Sequence, residues 1–167
     1  MSETMREHKS RGPHVVACAV VTVSDTRTEK TDRGGQIAVD MLSAAGHQIV
    51  DREIVPDEPQ RLAMAIERVA PRCDAVLLTG GTGASRRDQT VETVQRLLTK
   101  TIPGYGELFR MLSYAEIGPA AMLSRVVGGL RDETVLLTMP GSPAAVRLAM
   151  EKLILPELAH LVYEARR

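Results

Sequence analysis

Aromatic side chains are scarce in this chain: no tryptophan, one phenylalanine and three tyrosines. Tyr105, Phe109 and Tyr114 lie close together, Tyr163 stands apart, and none falls on a strand-like run. Readers of single-stranded nucleic acid stack bases on aromatics spread over a sheet, so that class is excluded. Charge offers no substitute. Lys plus Arg and Asp plus Glu both number 21, so no bulk positive field would draw nucleic acid or an anionic membrane. The two cysteines, Cys18 and Cys73, show no CxxC or Cys–His spacing, which excludes a zinc or redox motif. They are expected to be buried, reduced thiols of a cytoplasmic protein. His8, His14, His47 and His160 form no HExxH pair, and no Gly-x-Ser-x-Gly elbow occurs, which argues against a serine hydrolase. No apolar run approaches a membrane span. The opening "MSETMREHKSRGPH" has no apolar signal core and is expected to form a flexible polar arm over residues 1–13.

What is present describes one globular domain over residues 14–167, with 44% hydrophobic residues in a chain of 167. "HVVACAVVTVS" is a β-branched run with little alternation, the pattern of a strand buried on both faces. A polar loop follows, then a helix over "QIAVDMLSAAG" that Gly46 stops. "HQIVDREIV" alternates as a second strand, and Pro56 ends it. Asp57 is a plausible N-cap for the next helix, with Pro59 in its first turn. "DAVLLTGG" is a third strand, "TVETVQRLLTK" a short helix, and "ELFRMLSYAEIG" another that follows a glycine turn. Two strands surround a turn at Arg131–Glu133, and a C-terminal helix or helix pair is interrupted near Pro156. Strands alternating with helices predict an α/β, doubly wound, mainly parallel sheet with helices on both faces and some antiparallel edge.

Ligands of such sheets bind beyond the carboxyl ends of the strands. Four ends stand out: "VSDT" with Ser24 and Asp25, "VPDEP" with Asp57, "TGGTGASRRDQT", and "MPGSP" with Pro140, Gly141 and Ser142. In the third, Gly80, Gly81, Thr82 and Gly83 let backbone N–H groups approach a phosphate closely. Asp88 and Thr90 either cap the following helix or serve a ligand, Asp88 by holding Mg²⁺. Arg86 and Arg87 either neutralise phosphate oxygens or are solvated. The loop is neither a P-loop nor a GxGxxG fingerprint. Ser142 is either a plain N-cap or part of a second anion turn. A metal or acid–base role for Asp57 needs a partner carboxylate, and Asp88 is the candidate.

Together "TGGTG" with "DQT" after four residues, "PGYGELFR", "EIGPAAMLSR" and "MPGSPAAV" resemble the MoaB/MogA family of molybdenum cofactor biosynthesis, in the MoaB branch. The resemblance runs from Val15 to His160. It implies a homotrimer or homohexamer that transfers AMP from ATP to molybdopterin with Mg²⁺, giving adenylyl-molybdopterin and pyrophosphate. It also implies hand-over to a molybdate-inserting enzyme. Asp57 and Asp88 match the family's functional aspartates, which makes them the expected catalytic and Mg²⁺-binding pair. Ser24, Asp25, Gly80, Gly81, Thr82, Gly83, Arg87, Thr90, Pro140, Gly141 and Ser142 are the expected substrate contacts. The alternative is a catalytically inactive molybdopterin-binding or oligomeric paralogue. The segment from Tyr105 to Tyr114 is expected to contribute to a subunit contact.

Overall fold

The computed structural model describes residues 12–167, so the arm expected over residues 1–13 lies outside the described residues apart from Gly12 and Pro13. The strands are β1 (Ala17–Val23), β2 (Gln48–Val55), β3 (Ala75–Thr79), β4 (Lys100–Thr101), β5 (Gly128–Arg131) and β6 (Thr134–Met139). They form one sheet in the order β2-β1-β3-β6-β5-β4. The first four strands in that order run parallel, and β5 and β4 add an antiparallel edge. This is the expected doubly wound sheet. The two-residue β4 carries no sequence signal, because periodicity needs several residues to register.

Both faces are covered. The helices are α1 (Arg33–Ala44), α2 (Pro59–Val69), α3 (Thr90–Leu97), α4 (Pro103–Ile117), α5 (Pro143–Ala149) and α6 (Leu155–Ala165). Successive strand residues point to opposite faces, so β1 feeds two cores at once. Cys18 and Val20 pack with Leu42 of α1, Phe109 of α4, Val146 of α5 and Leu158 of α6. Ala19 and Val21 pack with Leu62 and Ile66 of α2 and Val94 of α3. The two free cysteines therefore belong to opposite faces of the sheet, Cys18 in the first core and Cys73 against the second.

Several local expectations are corrected. α1 starts at Arg33, inside the expected loop, because the buried Asp32 carboxylate accepts the Gly35 N–H at 2.9 Å and caps it. α4 starts at Pro103, so the expected glycine turn before Glu107 is its first turn. Proline suits that position, and Gly106 is required by close approach: a Cβ there would sit 2.6 Å from the Val126 carbonyl oxygen. Tyr105 and Phe109 are core residues, the Tyr105 hydroxyl donating to the Thr138 carbonyl at 2.8 Å. The exposed apolar face of α4 is instead Leu108, Met111, Tyr114 and Ile117. Near Pro156 the chain does not break. A π-helical turn over Met150–Ile154 joins α5 to α6 and accommodates the donor that proline lacks.

Candidate functional site

The strand order decides the site. β2, β1, β3 and β6 are parallel neighbours, so their carboxyl ends share one edge of the sheet. The winding reverses between β1 and β3, the place where such sheets open a crevice. The register levels these ends: Val23 pairs with Val55, Thr22 with Thr79, and Thr79 with Met139. The Ser24 N–H then bonds the Val55 carbonyl at 2.8 Å, and the Gly80 N–H bonds that of Met139 at 3.0 Å. The Thr79 hydroxyl donates to the Pro140 carbonyl at 3.2 Å and ties the "PGS" turn to the glycine loop. All four expected strand-end segments are brought together.

Gly80 and Gly81 have φ of 99° and 62°, the left-handed region that favours glycine. A Cβ on Gly81 would meet Thr90 Oγ1 at 2.1 Å and the Asp57 carboxylate oxygens at 3.1 and 3.2 Å. Gly81 therefore sits directly against both side chains. Thr90 Oγ1 is fully buried and has no hydrogen-bond partner among the described residues. Three successive carbonyls of the loop are engaged by protein. Those of Gly81, Thr82 and Gly83 accept from the Thr90 N–H (3.2 Å), the Arg125 N–H (3.3 Å) and Arg125 Nε (2.8 Å). The N–H groups of Gly81, Thr82, Gly83 and Ala84 find no acceptor among the described residues. A loop with its acceptors used and its donors unspent is suited to an anion.

The acids do not cap as their spacing suggests. Glu58, with no side-chain cap bond, occupies the N-cap of α2, and Gln89 does so for α3. Asp57 is thereby released: its Oδ1 accepts the Gln89 N–H at 3.3 Å, and its own N–H donates to Asp25 Oδ1 at 3.1 Å. Burial raises its pKa, and the charges of Asp88 and Asp25 raise it further, against the Gln89 hydrogen bond and the Arg87 charge. Asp88 Oδ2 accepts the Ser85 N–H at 3.0 Å and shapes the loop's tip. Arg87 pairs with Asp25, which joins the β1 end to the glycine loop, while Arg86 is exposed. The Ser24 hydroxyl accepts the Thr26 and Arg27 N–H groups at 3.2 and 3.1 Å, and Ser142 caps α5 through the Ala145 N–H at 3.3 Å.

Two clefts open on this edge. One, of about 320 Å³, is lined by Gly81, Thr82, Gly83, Asp88, Gly141 and Ser142, with Phe109 and Ile117 forming an apolar wall. The other, of about 680 Å³, is lined by Ser24, Arg27, Lys30, Arg33, Gly80 and Ser142, and is basic. The "PGS" turn borders both. Asp25 and Asp57 line neither; they back the loop. Among the described residues no group of three His, Cys, Asp or Glu side chains forms a metal site. What the loop offers is a pair of carboxylates and one hydroxyl, an oxygen-only set suited to Mg²⁺ arriving with phosphates rather than to a resident metal.

Two contributors escaped sequence reasoning. Arg125 touches the loop from 37 residues beyond Asp88, and only its place at the end of "EIGPAAMLSR" marks it. Asp32 was legible as an acid ahead of a helix, but two glycines after Arg33 masked the helix start.

Comparison with known proteins gives concordant results. Residues 19–160 match the family model described as probable molybdopterin binding domain. The molybdenum cofactor biosynthesis protein B of Bacillus cereus is 50% identical over 98% of this chain and 99% of its own length. The crystal structure of the tungsten cofactor synthesizing protein MoaB from Pyrococcus furiosus superposes with a TM-score of 0.84 at 34% identity, covering 93% of this chain and 99% of that one. A MogA structure superposes with a TM-score of 0.82 at 28% identity, covering 89% and 99%.

Proposed function

The chain belongs to the family of probable molybdopterin binding domains and is a molybdenum cofactor biosynthesis protein of the MoaB/MogA type, and on that premise we propose that it transfers AMP from ATP to molybdopterin. A phosphate oxygen of molybdopterin attacks the α-phosphorus of ATP, the bond to the bridging α–β oxygen breaks, and pyrophosphate leaves. Such transfer depends mainly on positioning and on stabilising charge. The observation that carries the reading is the glycine loop, in which the carbonyls of Gly81 to Gly83 are occupied and the amides of Gly81 to Ala84 are free, set against Asp57, Asp88 and the unpartnered Thr90 hydroxyl.

The amides of Gly81 to Ala84 bind phosphate oxygens. Asp88 in the smaller cleft, with Asp57 behind Gly81, would hold Mg²⁺, which would supply positive charge to the phosphates. The Asp25–Arg87 pair fixes the loop to the end of β1 and leaves its guanidinium exposed. Arg27, Lys30 and Arg33 line the basic cleft and receive a second anionic group across the "PGS" turn. The apolar wall of Phe109 and Ile117 suits a flat ring in the smaller cleft. The protein self-associates as a homotrimer or homohexamer through the exposed face of α4, and passes its product to a molybdate-inserting enzyme.

The test is direct. Purified protein is mixed with molybdopterin, ATP and Mg²⁺, and adenylyl-molybdopterin and pyrophosphate are measured. Asp88→Asn should reduce transfer by roughly 100-fold or more, the scale of losing one charge-stabilising group, while leaving the fold and most molybdopterin affinity intact. Tight binding without product in the wild type would assign the chain to the non-catalytic binders. Full activity in Asp88→Asn would remove that residue from the mechanism.

A further inference from the structure

We propose that Arg125 is the positioning residue of the glycine loop: its guanidinium turns the Gly83–Ala84 and Asp88–Gln89 peptide planes so that the Ala84 N–H stays available to phosphate and the Gln89 N–H reaches Asp57. This rests on the phosphate-cradle reading above. Arg125 lies between the 3₁₀ turn Gly118–Leu123 and β5. Its Nε donates to the Gly83 carbonyl at 2.8 Å and its Nη2 to the Asp88 carbonyl at 3.0 Å. Those carbonyls flank Ala84, Ser85, Arg86 and Arg87, all exposed. Its main-chain N–H takes the Thr82 carbonyl at 3.3 Å, and Glu92 of α3 pairs with its Nη1.

The consequence follows from peptide geometry. In a trans peptide the C=O and the next N–H point in opposite directions, and there are no cis peptide bonds among the described residues. Drawing the Thr82 and Gly83 carbonyls to Arg125 turns the Gly83 and Ala84 N–H groups away from it. Drawing the Asp88 carbonyl likewise turns the Gln89 N–H away, and that N–H lands on Asp57 Oδ1 at 3.3 Å. The side chain thus sets one free amide, that of Ala84, and the hydrogen bond that holds Asp57, while the main-chain N–H of the same residue sets the Gly83 amide. A planar guanidinium presents its donors in a fixed fork and can hold two carbonyls together, whereas a lysine ammonium is a compact point charge that cannot reproduce the fork.

The exposed arginines inside the brace supply a readout that needs no substrate. Trypsin cleavage after Arg86 or Arg87, identified by fragment mass, reports local opening of the loop. In Arg125→Ala this cleavage should accelerate roughly 10- to 100-fold, the effect of losing charge-assisted bonds. Arg125 and Glu92 line an open groove of about 650 Å³, so added guanidinium can reach the vacated space. It should slow the cleavage of Arg125→Ala relative to that of wild type at the same guanidinium concentration, where ammonium does not, a response that neither inhibition of trypsin nor general loss of fold would give. AMP transfer should fall about 100-fold, as expected for a misplaced loop, and recover in part with guanidinium. Should Arg125→Ala not fold, Arg125→Lys decides, because it keeps the charge beside Glu92 and loses the fork; its cleavage should also accelerate. Cleavage at the wild-type rate in the folded variant overturns the brace. Accelerated cleavage in a protein whose wild type transfers no AMP upholds the brace and rejects the reaction.

Discussion

Substituting alanine at Gly81 should be among the most damaging single-methyl additions in this protein, and its cost can be worked from the structure. Gly81 has φ of 62°, which an L-residue adopts at a penalty of about 1–2 kcal/mol. Its new Cβ would also stand 2.1 Å from Thr90 Oγ1, and Thr90 is fully buried at the start of α3. That hydroxyl is not the free end of a flexible chain, so α3 or the loop must shift, at about 1–3 kcal/mol for overpacking. The sum is roughly 2–5 kcal/mol, or a fall in Tm of roughly 4–20 °C for a domain of this size. Two further alanines separate the terms. Gly46 has φ of 84° with open space around its missing Cβ, so Gly46→Ala should carry the backbone penalty alone. Gly104 has open space, no positive φ and a place in the first turn of α4, so Gly104→Ala should stabilise by about 0.4–1 kcal/mol. The assay is thermal unfolding of the three variants beside wild type. Equal melting of Gly81→Ala and wild type would overturn the steric account, and so would a fall in Gly104→Ala as large as that in Gly81→Ala.

Three other outcomes are expected. Because the Asp57 pKa is raised on folding, mainly by burial, ionised Asp57 costs stability above its folded pKa, and the relative gain is complete only below its unfolded value. Asp57→Asn should therefore melt higher than wild type at neutral pH, and the difference should shrink as pH falls through that window; a difference independent of pH would count against the assignment. Asp32→Ala should lose the cap of α1, at about 1 kcal/mol. It also leaves the Thr22 hydroxyl without its acceptor, at about 1–3 kcal/mol more, and removes the carboxylate that pairs with Arg52 at 3.5 Å; urea unfolding would check the total. Met111→Lys with Ile117→Lys places two charges on the exposed face of α4, and light scattering should show a smaller particle if that face joins subunits; an unchanged mass would place the contact elsewhere.

Much of this protein was legible in its sequence because the governing rules are local. The apolar run of β1, the helical spacing from Leu62 to Val69 and the glycines of two strand-end turns report on neighbours a few residues away, where periodicity and turn chemistry act. These features predicted the α/β class, the antiparallel edge and four candidate loops. Tertiary structure decided which chemistry those loops can perform. Asp57 is read locally as a cap, yet Glu58 takes that position and frees the carboxylate to meet Gln89, 32 residues later. Asp25 and Arg87 are 62 residues apart and become a pair only because β1 and β3 are sheet neighbours. Arg125 reaches the glycine loop from beyond α4, where no spacing rule extends. Strand order and register fix these meetings, and both are set by the packing of two cores against one sheet, which no single segment of the chain encodes.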